Sequence, residues 1–170
     1  IHLVKILDRP PKSIPEALYG SIRPPSAGLE GEIDVRCSVE QDRDWLFHLF
    51  KTHWSDTTVA CRGRVIDLFQ AQTKVACLEG VPVGVINYIP CIENHEIVSV
   101  ISEVPRLGIG RLLALEVESD AREAGCPRLT AVTTNDNTDA FRFWQRQGFR
   151  VVGVSIDGVT EARCLKPSIP

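Results

Sequence analysis

With 170 residues, 44% of them hydrophobic, the chain can bury one ordinary core and is too short for two sizeable domains. A formal net charge of -3 and a pI near 5.8 exclude a global pull toward nucleic acid or an anionic membrane, so any anionic ligand must be held by local geometry. No run approaches the ~20 apolar residues of a membrane-spanning helix, and Ile1–Leu7 is too short and wrongly flanked for a signal peptide.

Six cysteines (Cys37, Cys61, Cys77, Cys91, Cys126, Cys164) show no C-x-x-C spacing, and several sit in apolar runs with the character of core strands. Reduced, buried thiols in a cytoplasmic protein are therefore expected rather than disulfides. His48 and His53 lie five positions apart rather than four, no histidine is spaced with a second ligand, and no metal is expected. Methionine is absent even at position 1, so the numbering is expected to begin inside a longer reading frame and both ends to be truncated.

In chain order, Pro10, Pro11, Pro15, Pro24 and Pro25 remove backbone donors and fix φ, so residues 1–31 read as an extended proline-rich arm that starts with a short strand at Ile1–Leu7. Residues 32–170 read as one domain. Ile33–Cys37 alternates like a strand, and Trp45, Leu46, Leu49, Phe50, His53 and Trp54 then recur at helical spacing behind the capping candidates Asp42 and Asp44. The aromatic stripe is core packing. Arg64–Gln70 reads as a second, shorter helix. Lys74–Leu78 and Val83–Ile89 are β-rich runs joined across Glu79-Gly80-Val81-Pro82, and Glu96–Ser102 follows a polar turn at Glu93-Asn94, which together predict an antiparallel meander.

Beyond the meander the period changes. A glycine loop leads into a helix over Gly110–Ala124 that stops at Gly125, then a strand over Leu129–Thr134, a helix over Thr138–Gln147 that stops at Gly148, and a strand over Phe149–Ile156. Asp157-Gly158 is a turn, and Val159–Leu165 a weak strand or tail. There is no internal repeat.

The loop Arg106-Leu107-Gly108-Ile109-Gly110-Arg111 stands between an apolar strand and an amphipathic helix. Glycines admit a ligand close to the backbone, the first helical N–H groups have no internal partner, and the helix dipole adds positive potential, so such a loop can hold phosphate. Arg106 and Arg111 add full charges suited to a diphosphate. A plain tight turn explains the two glycines nearly as well. A dinucleotide fingerprint would need a third glycine where Leu113 stands, and a Walker loop would need G-K-[ST]; neither is present.

These residues, together with the strand Glu96–Val100, the helix end Ala121–Gly125 and the stretch Thr133–Phe149, resemble the GNAT N-acetyltransferase superfamily over about residues 33–156. The most specific part is Asn137–Phe149, which is similar to the family pattern N-x-x-A-x-x-F-Y-x-x-x-G-F across thirteen positions. The resemblance implies a mixed α/β fold with a mostly antiparallel central sheet whose fourth and fifth strands splay apart. It implies acetyl-CoA in that gap, its diphosphate on residues 106–111 (Arg106, Leu107, Gly108, Ile109, Gly110, Arg111) and its pantetheine on the backbone of Val100, Ile101 and Ser102. Asn137, Phe143 and Trp144 would line the cofactor arm, Asn137 being equally an ordinary N-cap. Two departures stand out: Pro105 occupies the family's basic position before the loop, and Trp144 replaces a frequent tyrosine. The tail resembles a GNAT subset that continues into one more strand, so Phe149–Ile156 is expected to lack a partner, leaving an exposed edge and an opening for homodimer formation.

By the same resemblance the chain transfers an acetyl group from acetyl-CoA to a primary amine by direct attack in a ternary complex, with Glu96 as general base and Tyr88 or water protonating the leaving thiolate. The alternative for Glu96 is an exposed strand-end carboxylate. Glu103 and His95 are weaker candidates for the base, and Cys91 and Cys126 lack any sign of thiol activation. Trp144 donates a hydrogen bond but cannot transfer a proton at neutral pH. A non-catalytic acyl-CoA sensor is the competing reading, and the acceptor is left open because fold does not fix function.

Overall fold

The computed structural model describes residues 1–7 and 31–168; the prolines of the expected arm lie outside the described residues. In chain order the elements are β1 (His2–Ile6), β2 (Ile33–Cys37), a 3-10 turn (Glu40–Asp42), α1 (Arg43–Trp54), β3 (Thr58–Cys61), β4 (Arg64–Asp67), β5 (Gln72–Leu78), β6 (Val81–Ile89), β7 (His95–Ser102), α2 (Ile109–Glu123), β8 (Arg128–Val132), α3 (Thr138–Arg146), β9 (Arg150–Gly153) and α4 (Gly158–Leu165). Seven strands form one sheet in the order β2-β5-β6-β7-β8-β1-β9, and β3 with β4 forms a separate hairpin. Every pairing is antiparallel except β7 with β8. The result is a mixed α/β architecture, mostly antiparallel, with four flanking helices.

Alternating residues of β6 and β7 feed two cores, because successive side chains on a strand point to opposite faces. Ile86, Tyr88 and Ile97 join Ile109, Leu113 and Val117 of α2 on one face. Val85 and Ile101 join Leu46, Leu49 and Phe50 of α1 and Val59 and Ile66 of the hairpin on the other. The amphipathic spacing that predicts α1 and α2 thus corresponds to the stripes they bury. Gly84 on β6 lets α2 seat closely: a Cβ there would lie 2.5 Å from Ile109 Cγ2 and 3.1 Å from the Ile101 carbonyl oxygen.

Four expectations are corrected. Arg64–Gln70 is not a helix; Arg64–Asp67 is a strand, because Arg62 and Gly63 both take positive φ (50° and 72°) and close a two-residue hairpin onto Thr58–Cys61. Val159–Leu165 lies in helix α4 rather than a strand. The buried Lys166 anchors it, its Nζ donating to the carbonyls of Trp54, at 2.8 Å, and Thr58. Finally, β9 does not lack a partner: β1 runs antiparallel between β8 and β9, with Leu3 fully buried, so His2–Ile6 belongs to the sheet rather than to an arm outside it. The cap of α1 also differs, since Asp42 accepts from Arg36 and the Val39 N–H instead of from the helix.

Candidate active site

Strands β7 and β8 are paired only through His95–Leu129, Glu96–Thr130 and Ile97–Ala131. Beyond Ile97 strand β7 continues to Ser102, hydrogen-bonded to β6 alone. The parting begins at an irregularity: Tyr88 pairs with Ile97 and Asn87 with Ser99, so Val98 is an extra residue that bends β7 away from β8. Val100, Ile101 and Ser102 line the opened edge with backbone groups that no strand among the described residues takes on the β8 side. Ile101 is buried, while Ser102 is exposed and donates to the Val104 carbonyl at 2.9 Å.

At the mouth of that gap the chain makes the loop of residues 106–111. Arg106 (φ 68°) and Gly108 (φ 78°) are left-handed, Gly108 is the N-cap of α2, and no side chain caps this helix end. Its first N–H groups therefore face the loop without intrahelical partners. Leu107 packs against the core, Ile109 is buried beneath the loop, and Arg106 and Arg111 are exposed beside it. Gly110 faces α3, where an added Cβ would meet the Phe143 ring at 3.3 Å. Asn137 is the N-cap of α3, accepting from the Ala140 N–H at 3.1 Å. Trp144 is buried, with its ring centroid 4.8 Å from that of Phe143 and 4.9 Å from that of Phe149.

Glu96 stands at the closed end of the gap, and it is buried rather than exposed. One carboxylate oxygen accepts from Arg64 of β4 and the other from the Cys61 thiol of β3 at 3.5 Å. Burial, and next the Glu96 charge, push the Cys61 thiol up to about 11, so it is no thiolate nucleophile near neutrality. His2 of β1 lies on the same side, its Nε2 paired with Ser155 Oγ at 2.8 Å. Burial, and next the Arg62 charge, hold its ring below the ordinary histidine value.

Tyr88 does not join this group. It projects into the α2 core on the opposite face from Glu96, and its hydroxyl donates to Asp120 at 2.5 Å. Burial, and next Asp120, hold the phenol well above its ordinary value, which disfavours proton release. His95 is stacked on Tyr88 and bonded to the Cys91 carbonyl at 3.2 Å, and Glu103 accepts from the Trp45 indole at 3.1 Å. Cys126 is buried. Among the described residues no group of three or more His, Cys, Asp or Glu could hold a metal ion, and no helix is long and apolar enough to cross a membrane.

The profile of the acetyltransferase (GNAT) family matches residues 39–149. The chain belongs to the GNAT acetyltransferase family. An uncharacterized Bacillus subtilis protein, YdhI, is 34% identical over 126 residues, covering 74% of this chain and 79% of YdhI. The aminoglycoside N-acetyltransferase AAC(6')-Iy in complex with CoA has a TM-score of 0.63 at 15% identity, over 77% of this chain and 96% of that one. A GNAT family acetyltransferase from Elizabethkingia anophelis with acetyl-CoA bound has a TM-score of 0.52 at 18% identity, over 71% and 78%. The two likenesses to solved structures are of fold. Sequence reasoning missed Cys61, Arg64, His2 and Gly84. The Arg62-Gly63 turn signal and a glycine inside a strand run were the available clues.

Proposed function

We propose that this GNAT protein transfers an acetyl group from acetyl-CoA to a primary amine by direct attack in a ternary complex, in the cytoplasm. The carrying observation is the parting of β7 from β8 after Ile97, directly beside the uncapped N-terminus of α2 and its two left-handed loop residues. Backbone groups of Val100–Ser102 bind and orient the pantetheine, and the loop N–H groups with Arg106 and Arg111 hold the diphosphate. When bound, the thioester supplies the acyl group and a thiolate leaving group. Glu96 takes the amine proton, with Arg64 and Cys61 fixing its carboxylate in place. With Tyr88 on the other face and Trp144 in the core, water is left to protonate the thiolate. Asn137 and Phe143 shape the α3 wall of the same groove.

Coenzyme A should raise the melting temperature, since a ligand bound only by the folded state adds about 2.7 kcal/mol at a hundredfold excess over Kd. Arg111→Glu, an exposed charge reversal, should shrink that shift and leave the ligand-free midpoint nearly unchanged. No shift in the parent protein at saturating coenzyme A defeats the cofactor assignment. Turnover with no amine, despite binding, would favour the sensor reading.

A further inference from the structure

The face of the sheet that carries Glu96 continues outward past the hairpin. Glu96 is the register partner of Thr130, Thr130 of Val4, and Val4 of Arg150, so these four side chains stand in one row across β7, β8, β1 and β9. On that face of β8, β1 and β9 the ionisable side chains are Arg128, His2 and Arg150, all of them basic. Arg128 is used by Glu93, whose carbonyl accepts from its Nε at 3.0 Å. Above the row stands the β3–β4 hairpin, and its tip residue Arg62 is exposed, with no ion pair among the described residues.

The charges meet across one space. Cys61 and Arg64, the residues flanking the Arg62-Gly63 turn, both contact Glu96 of β7, and His2 of β1 feels the charges of both Arg62 and Glu96, so residues of β1, β3, β4 and the turn gather around Glu96. Arg64 and Glu96 neutralise one another, which leaves the Arg62 guanidinium in excess. Thr130 Oγ1, next to Glu96 in the row, is buried and has no hydrogen-bond partner among the described residues.

Resting on the transfer reading above, we propose that the acceptor is an amine that also carries an oxyanion, a carboxylate or a phosphate, and that Arg62 receives the oxyanion while Glu96 faces the amine. A polycationic acceptor would set its charges against Arg62 and Arg150, which like-charge repulsion penalises. An acceptor with one amine and one oxyanion pairs each group with its opposite. Arg62 is thus a specificity-determining residue: it contacts the acceptor away from the reacting atoms, and its effect falls on KM.

The test compares acetylation of β-alanine, aminoethyl phosphate, β-alaninamide and spermidine by the full chain with acetyl-CoA. The expected result is a kcat/KM for β-alanine or aminoethyl phosphate about tenfold or more above that for β-alaninamide, the scale of one charge-assisted hydrogen bond. Whichever of the two anionic amines leads identifies the oxyanion. Arg62→Gln should remove the preference through KM alone and leave the amide unchanged, and Arg62→Lys should restore much of it. Equal or better use of β-alaninamide or spermidine overturns the proposal while leaving amine acetylation standing, as does an Arg62→Gln loss equal for all acceptors. A protein that binds coenzyme A yet acetylates none of the four overturns the transfer reading and this proposal with it.

Discussion

At Glu96 a carboxylate 8% exposed is held between a guanidinium and a thiol, with both oxygens occupied by groups from the hairpin. Glu96→Gln should therefore lower kcat/KM by roughly 10²- to 10³-fold while the coenzyme A melting shift is retained. Loss of both together would mean the hairpin had moved rather than a base been removed. Trp144 calls for a different measurement, because its indole is packed against Phe143 and Phe149 in the core. Trp144→Phe should cost stability, short of the ~3–5 kcal/mol typical of truncation to alanine, with kcat per folded molecule kept. A folded Trp144→Phe protein that binds coenzyme A but does not turn over would instead show that the indole N–H is needed. Glu96 could be named from its place near the start of a β-rich run, whereas Arg64 and Cys61 could not: they lie 32 and 35 positions away, and only the fold of the hairpin over β7 brings them in.

Among the elements, α1 and the hairpin pack together on the Val85–Ile101 face of the sheet, and α1 is tied to the sheet through β2. Arg36 of β2 donates two hydrogen bonds to Asp42, at 2.6 and 2.8 Å, and the Val39 N–H adds a third. Arg36 chiefly, and the Val39 N–H also, hold the Asp42 carboxyl below its ordinary 3.8. A carboxyl depressed in the folded state stabilises at pH above its unfolded value, and that stabilisation is lost as pH falls toward and through the folded value. Asp42→Asn should accordingly cost about 1–3 kcal/mol near neutrality and flatten the acid limb, read from urea midpoints between neutral and acid pH. The element types were legible wherever one period ran unbroken, as in α2 with Ile109, Leu113, Val117 and Ala121 all buried. They were not legible at Arg64–Gln70, where apolar residues fit both periods and a turn of two positive-φ residues decides, nor at α4, which buries no hydrophobic residue and is held by Lys166.

For the whole molecule, β1 joins the two ends of the described chain: Ile1 exchanges backbone bonds with Thr133, 132 positions away, and His2–Leu3 pairs with Gly153 and Val151 of β9. Leu3→Ala should cost about 2–5 kcal/mol, because its side chain is fully buried in the core shared with α2. In hydrogen exchange the loss should appear first at the amides of β8 and β9, and later at those of β5 and β6 on the far side of the gap; uniform loss would show that the sheet opens as one unit. By itself the sequence determined the meander, the glycine loop, α2, α3 and the position of Glu96, since apolar period, glycine punctuation and motif spacing are properties of neighbouring residues. Only the tertiary structure decided that β1 fills the place beside β9, that β7 leaves β8 after Ile97, that Tyr88 faces away from Glu96 and that the hairpin brings Cys61 and Arg64 over it. Those facts depend on which distant strand offers the matching hydrogen-bond edge and buried face, and that free energy exists only once the sheet is assembled.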